Sequence, residues 1–363
     1  MSSTRRWLAY LAVVTLSVSG LGLVGTRTSG ASGADPLGYT VIGNPLSLNG
    51  CQLAHLDLTT GALTAFGPTD PAHCTVDLAM GPGNTALYGI QLVFDVPDDT
   101  LLAHLMRFDP TNGTATDLGQ IGTFTMGSGP GPFLGPLTFD AAGNLLVYLV
   151  PATTVGPCGG DLAYCLFQVD PNHPSNATAL GPVPQAMDIY YGMATSPTGT
   201  VVATRLQFFS PVSRSSTSTS TPTTSTPSTS TPGSSGATAA PTSLGPPTWG
   251  AAHAAIEAEL DLTTVNTTNG STTDVGAGLG PNHFVEGIDY DPSGTLWGIG
   301  SEGGFGLSAT ALTSNVYTID PVSGVATLGP PITMGGTPTA VEALAIPGPV
   351  APAAVVATPS FTG

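Results

Sequence analysis

The chain has 363 residues, carries 23 acidic side chains against 6 basic ones, and contains no lysine. Binding to nucleic acid needs Lys and Arg to displace counterions from phosphates, and an anionic membrane surface repels so acidic a chain, so both partners are excluded. Only 8% of residues are charged, and with 48 Gly and 34 Pro the surface must be covered by Thr, Ser, Asn, Gly and Pro, as suits an exported protein.

In chain order, the first segment stands outside the fold. A short polar start with Arg5-Arg6 leads into an apolar run over 7–24 and a small-residue stretch ending Ser32-Gly33-Ala34. That order predicts a secretory signal peptide over 1–34, cleaved in the mature protein. The arginine pair permits twin-arginine export, although the residues after it fit that pattern poorly. No later apolar stretch is long enough to span a bilayer. The expectation is a secreted protein, free or held at the cell surface, without membrane insertion after cleavage. Three arginines remain beyond the signal, Arg107, Arg205 and Arg214, and they face all the acidic residues.

A strand follows at 39–42, lacking a partner before it. Then a pattern recurs five times: an apolar strand ending in Asp, a turn rich in Thr, Asn, Pro and Gly, and a Thr/Ala-rich strand ending in Gly. It reads LAHLDLTTGALTAFG over 53–67, LMRFDPTNGTATDLG over 105–119 and LFQVDPNHPSNATALG over 166–181. It returns as AELDLTTVNTTNGSTTDVG over 258–276 and VYTIDPVSGVATLG over 316–329. Each copy predicts a β-hairpin, and the Asp before the turn is placed to accept hydrogen bonds from the turn's own N–H groups. The marker aspartates Asp57, Asp109, Asp170, Asp261 and Asp320 are spaced 52, 61, 91 and 59 residues apart. Between these hairpins lies a second type, over 76–90, 135–150, 191–206 and 286–300, whose first strand is made of small residues that suit crowding about an axis.

Two hairpins joined make a four-stranded blade. The segment VEALAI over 341–346 matches the first strand of the second hairpin type but lacks a partner after it, so it complements the strand at 39–42. Closure by the two chain ends would remove exposed sheet edges. The expected architecture is therefore all-β, a five-bladed β-propeller over 37–346 closed by N- and C-terminal strands, and a monomer. A Ser/Thr/Pro-rich stretch over 210–247 is expected to be a disordered insertion within one blade, a candidate for O-glycosylation, and 347–363 a Pro/Ala-rich tail. Strings such as GIDYDPSGTLWGI and VYTIDPVSGVATLG resemble secreted bacterial β-propeller proteins with "GLAxDPxGTLYGI…LYxIDPxTGxxTxLG" repeats. The resemblance spans about 39–346 apart from the insertion. It implies the fold, and no catalytic residues come with it.

Chemistry is expected at two places. On a propeller the short turns share one face and the longer connections share the other. All four cysteines, Cys51, Cys74, Cys158 and Cys165, fall in or beside that second face, and an even count in an exported chain reads as two disulfides. Proximity favours Cys51–Cys74 and Cys158–Cys165 among three pairings. Asp95, Asp98, Asp99 and His283 are candidate ligand-binding residues of this loop face, whose expected ligand is an extracellular protein or a glycan. At the channel mouth, Asp77, Glu286 and Glu342 stand near the start of innermost strands, with Tyr191 and Gly135 in equivalent places. Clustered carboxylates are hard-cation ligands, so Ca2+ or Mg2+ there would support a lactonase-like, metal-assisted hydrolase as the alternative to a binding or adhesion module. The string Asp289–Gly294 imitates an EF-hand opening, but Gly300 replaces the bidentate Glu, so it reads as a repeat turn. No GxSxG, HExxH, P-loop or SxxK motif occurs. His73, His253 and His283 have no visible nucleophile partner, and Asn112, Asn176, Asn266 and Asn269 read as turn residues.

Overall fold

A computed structural model describes residues 36–43, 50–70, 73–95, 100–125, 135–149, 158, 164–182, 189–208, 258–280, 283–302 and 313–348. The expected signal peptide over 1–34, the Ser/Thr/Pro-rich stretch over 210–247 and nearly all of 347–363 lie outside these residues, as do Asp98, Asp99 and His253. Two units separate by their internal contacts, Met1–Gln207 with Glu259–Gly363, and Phe208–Ala258.

The first unit is a five-bladed β-propeller. The first blade holds β1 (Leu37–Ile42), β2 (Cys51–Asp57) and β3 (Leu63–Asp70), and the second holds β4 (Thr75–Met80), β5 (Leu87–Asp95), β6 (Thr100–Phe108) and β7 (Ala115–Thr125). The third comprises β8 (Leu137–Phe139), β9 (Leu145–Leu149), β10 (Cys165–Val169) and β11 (Thr178–Pro182). The fourth comprises β12 (Ile189–Thr195), β13 (Val201–Phe208), β14 (Ala258–Val265) and β15 (Thr272–Val275), so residues 209–257 interrupt it between its second and third strands. The fifth comprises β16 (His283–Tyr290), β17 (Leu296–Glu302), β18 (Ser314–Ile319) and β19 (Ala326–Pro331), followed by a small hairpin of β20 (Thr333–Met334) and β21 (Thr337–Pro338). Neighbours within every blade run antiparallel in chain order.

The ring closes through the chain ends. Tyr39 N–H donates to Ala345 O at 2.7 Å, Ala345 N–H returns to Tyr39 O at 2.9 Å, and Ile42 bridges Val341. The C-terminal segment thus supplies the missing innermost strand of the first blade. Its backbone groups would otherwise be an open edge.

The core sits between blades. Along β2, Cys51 and Leu53 pack with Leu78, Met106 and Phe108 of the second blade, while Ala54 and Leu56 pack with Ile299 and Val316 of the fifth. Both faces of the strand are therefore covered, with Gln52, His55 and Asp57 of its seven residues only partly buried. Glycines set the spacing of the outer hairpins. A Cβ on Gly181, at the end of β11, would stand 1.9 Å from Asn269 O in the turn of the next blade, and one on Gly276 would stand 1.6 Å from Ser323 O. Gly67 meets Asn112 and Gly113 in the same way. The Gly that ends the first, third and fourth repeat copies is thus a contact point where one blade lies against the backbone of the next, whereas Gly119 has open space beside it and Gly329 meets Val316 of its own blade.

The marker aspartates cap their turns in four blades. Asp57 Oδ1 accepts from Thr59 N–H at 2.9 Å, Asp109 Oδ1 from Thr111 N–H at 2.8 Å, Asp170 Oδ1 from Asn172 N–H at 2.9 Å and Asp320 Oδ1 from Val322 N–H at 2.9 Å. The fourth blade corrects the pattern. There β14 runs on past Asp261 to Val265, and Asn266 caps the turn by accepting from Thr268 N–H at 2.9 Å. Asp261 instead faces Arg205 Nη2 at 3.3 Å, and the same guanidinium, 4% exposed, reaches Asp274 at 2.5 Å. Asp261 is one of two partners of the buried Arg205, the other being the exposed Asp274, and its place in the repeat spacing belongs to Asn266.

Candidate functional site

Five innermost segments surround the channel. Three of them carry a register shift at the same level, between Thr75 and Leu78 in β4, between Tyr190 and Met193 in β12, and between Val285 and Gly287 in β16. A bulge leaves a residue outside the regular alternation and re-aims its side chain. Glu286 and Tyr191 lie at these bulges, and Glu342 holds the matching place in the closing segment; all three stay half-buried.

Small residues next to them let the strands touch. A Cβ on Gly192 would stand 2.8 Å from Ile288 N and 2.9 Å from Glu286 O, and one on Gly287 would stand 2.8 Å from Leu344 N. Tyr191, Glu286 and Glu342 are thereby held side by side on three adjacent strands. Burial pushes the Glu286 carboxyl up to about 7. Burial, and then the neighbouring Glu286 charge, push Glu342 up to about 8. The Tyr191 hydroxyl is raised as well, by burial and by Glu286.

Asp77 does not join this pair. By the repeat it matches the small residues Gly192, Gly287 and Ala343, one place beyond Glu286, and the structure seals it between blades at 2% exposed. Its Oδ2 accepts the Leu137 N–H of the third blade at 3.0 Å, and burial holds its carboxyl well above the usual range, with the charge of Asp289 adding to the effect. Asp289, absent from the sequence-derived candidates, is its counterpart. Its Oδ2 accepts the Ile346 N–H of the closing segment at 2.6 Å, its Oδ1 accepts its neighbour Tyr290 N–H at 2.8 Å, and burial pushes it up to about 7. Each aspartate is a strut from one inner strand to the backbone of the next. Asp289 carried a readable signal, since its counterparts are Ala79, Thr138, Ala194 and Ala345, an acid where other blades keep small residues. Among the described residues no group of three or more His, Cys, Asp or Glu forms a metal-binding cluster. The three-carboxylate arrangement of Asp77, Glu286 and Glu342 therefore resolves into a glutamate pair and an aspartate pair at different depths.

At the other end of the channel, among the short turns, lies a cavity of about 270 Å³ lined by Thr138, Thr195, Ser196, Asp289, Tyr290 and Ile346 among others. The loop face offers less detail. Asp95 ends β5 opposite Thr100. His283 opens β16, with Nδ1 3.2 Å from Leu279 O and its ring 5.2 Å from that of Tyr317. His73 is a packing residue, buried against Phe108 with Nε2 2.5 Å from Gly113 O. The cysteines pair as proximity suggested, Cys51–Cys74 and Cys158–Cys165. The first joins the start of β2 to the residue preceding β4, and the second joins the connection after β9 to the start of β10. No helix among the described residues is long and apolar enough to cross a membrane.

No protein-family model matches the sequence. No curated protein matches it either. Solved structures do share the architecture at low identity. A Bacteroides fragilis protein assigned as a 6-phosphogluconolactonase aligns over 88% of this chain and 100% of its own, with 12% identity and a TM-score of 0.39. The α-L-arabinanase of Penicillium chrysogenum with arabinobiose aligns over 78% and 73%, with 10% identity and a TM-score of 0.42. A chain of a nidogen/laminin complex aligns over 85% and 98%, with 8% identity and a TM-score of 0.38. A fold does not fix a function, so function has to be argued from this chain's own residues.

Proposed function

We propose that this protein is an extracellular binding module that engages a protein or glycan through the loop face of its propeller. The observation that supports the reading is an asymmetry between faces. Both disulfides stand at the ends of β2, β4 and β10 where the long connections enter, and none secures the turn face. The turn face has no need of them, because its turns are short and capped by Asp, Asn or Ser. Covalent staples at the feet of long connections on a rigid scaffold fix the geometry that binding requires and reduce the entropy lost on complex formation. The disulfides themselves fit an exported chain.

The signal-free protein is screened on a glycan array and against extracellular matrix proteins by biolayer interferometry. Replacing residues 151–157 by a Gly-Ser linker is expected to weaken the strongest interaction at least tenfold, with the melting temperature kept within a few degrees. Substituting Thr198 on the turn face is expected to leave it unchanged. Equal affinity in both variants, or a loss confined to the turn-face variant, would overturn the assignment.

A further inference from the structure

The loop-face reading leaves the opposite end of the channel without a role. There the cavity of about 270 Å³ among the short turns takes residues from all five innermost segments, Met80, Thr138, Thr195, Asp289 and Ile346 among them. Its volume falls just below the roughly 300–1,000 Å³ of drug-sized sites, so it suits a ligand of about one ring. The rim is preformed. A Cβ on Gly143 of the third blade would stand 3.5 Å from Pro82 of the second, and one on Gly199 of the fourth would stand 3.1 Å from Ala141 of the third. Asn84 Nδ2 donates to Gly348 O beyond the closing segment at 2.6 Å. Turns that already brace one another lose little order when a ligand enters.

The polar groups lining it have capacity left. Asp289 accepts one backbone N–H on each oxygen, so about two of the four acceptor positions of a carboxylate remain. Thr138, 5% exposed, and Thr195 meet through their hydroxyls at 3.3 Å. Two hydroxyl hydrogens are present and that contact uses one, so the pair has one to give. Asp140 and Asp291 also line the cavity, but they are occupied by their own blades. Asp140 accepts from Ala142 and Asn144, and Asp291 from Ser293, Thr295 and Trp297. Leu78, Met193 and Ile346, all nearly fully buried, add apolar wall.

We propose that this cavity binds a neutral polyol of sugar-ring size, as a free monosaccharide or as the terminal residue of a glycan, through Asp289 and the Thr138–Thr195 pair. A sugar carries hydroxyls that donate and accept at short spacing. Its hydroxyls donate to Asp289, one of its oxygens accepts from the threonine pair, and its C–H face lies on the apolar wall. The assignment does not rest on the loop-face reading, which concerns the other end of the channel. An organic cation would use the carboxylate and leave the threonine hydrogen without an acceptor. A calcium ion takes six to eight oxygens, and only one lining carboxylate has more than one acceptor position left.

The test is calorimetric titration of the signal-free, disulfide-intact protein at pH 8, above the value of about 7 to which burial raises Asp289. The probes are D-glucose, D-galactose, D-xylose, their methyl β-glycosides, cyclohexanol and calcium chloride. Saturable binding of at least one sugar is expected, with none of cyclohexanol, which keeps the ring and lacks the set of hydroxyls. Tighter binding of a methyl glycoside than of its free sugar would point to the end of a glycan as the source, and the reverse to a monosaccharide. Thr138→Val with Thr195→Val, which keeps the shape, is expected to weaken binding about three- to tenfold. Asp289→Asn is expected to weaken it at least tenfold. Asp289 also holds the closing segment, so if that variant fails to fold, the threonine variant decides the matter. Val322→Ala on an outer turn is expected to leave binding unchanged. No saturable binding of any sugar would leave a channel end that holds water only and would overturn the assignment. So would equal binding of cyclohexanol, binding that survives the threonine and Asp289 substitutions, or calcium binding in its place.

Discussion

At the residue scale, two populations of carboxyl groups respond to pH in opposite senses. Hydrogen bonds from the turns, led by Thr111 for Asp109 and Ser323 for Asp320, hold those side chains below the ordinary carboxylate range. Their contribution is present above that range and is lost as pH falls through it. Burial raises Glu286 and Asp289 to about 7 and Glu342 to about 8. The unfolded chain gives up these protons first, so their contribution is complete in mild acid and is lost as pH rises through 7 to 8. The expected melting temperature is highest at about pH 4–5, declines towards pH 8 and then levels off, and Glu286→Gln with Glu342→Gln flattens the decline. Calorimetry across that range checks this; a flat profile in the native protein would mean that channel water ionises the pair freely. Arg205 gives a second prediction. Asp261→Ala leaves the buried guanidinium with Asp274 as its remaining acidic partner and should cost about 1.5–3 kcal/mol in urea unfolding, the range for losing one charge-assisted hydrogen bond.

At the element scale, the hairpin is a local unit and the contact between hairpins is not. Alternation, an Asp or Asn before the turn and glycine after it suffice to mark where strands turn, because capping bonds span only two to four residues. That is why four of the five outer turns were legible from their aspartates. The fourth was misplaced because its strand is longer, and Asp261 looked like a cap until Arg205, 56 residues away, was seen to claim it. The terminal glycines carry a different logic. Gly181→Ala should lower stability by about 1–3 kcal/mol, since the new methyl group overlaps Asn269 O and one blade must move off the next. Val322→Ala, on an outer turn and 83% exposed, should change it by less than about 0.5 kcal/mol. Equal denaturant midpoints for the two variants would remove the packing role assigned to Gly181.

At the scale of the whole molecule, closure is what stabilises the ring. Truncation after Thr339 removes the segment that pairs with β1 and takes away the Ile346 N–H that Asp289 accepts. The truncated protein should expose β1 as an edge and aggregate or unfold cooperatively, visible as higher-order species in size-exclusion chromatography. A monomeric truncated protein with an unchanged melting temperature would show that the ring does not depend on its chain ends. Cys51→Ser with Cys74→Ser opens a link of sequence separation 23 between the first two blades and should cost about 3–4 kcal/mol.

The sequence by itself determined the repeat, the all-β class, the blade count and the complementary half-strands at the two ends, because period-two alternation and turn chemistry are local properties read along the chain. It also made the shorter disulfide pairings the favoured ones. The channel was a different matter. Asp77 and Glu286 are each one residue from a glycine or bulge, and a shift of one place sends a side chain into the seam between blades instead of the channel. Only the tertiary structure showed that Asp77 belongs with Asp289 between strands and that Glu286 belongs with Glu342. Those pairings depend on how five separate strands register against one another around an axis, and no spacing along a single chain encodes that.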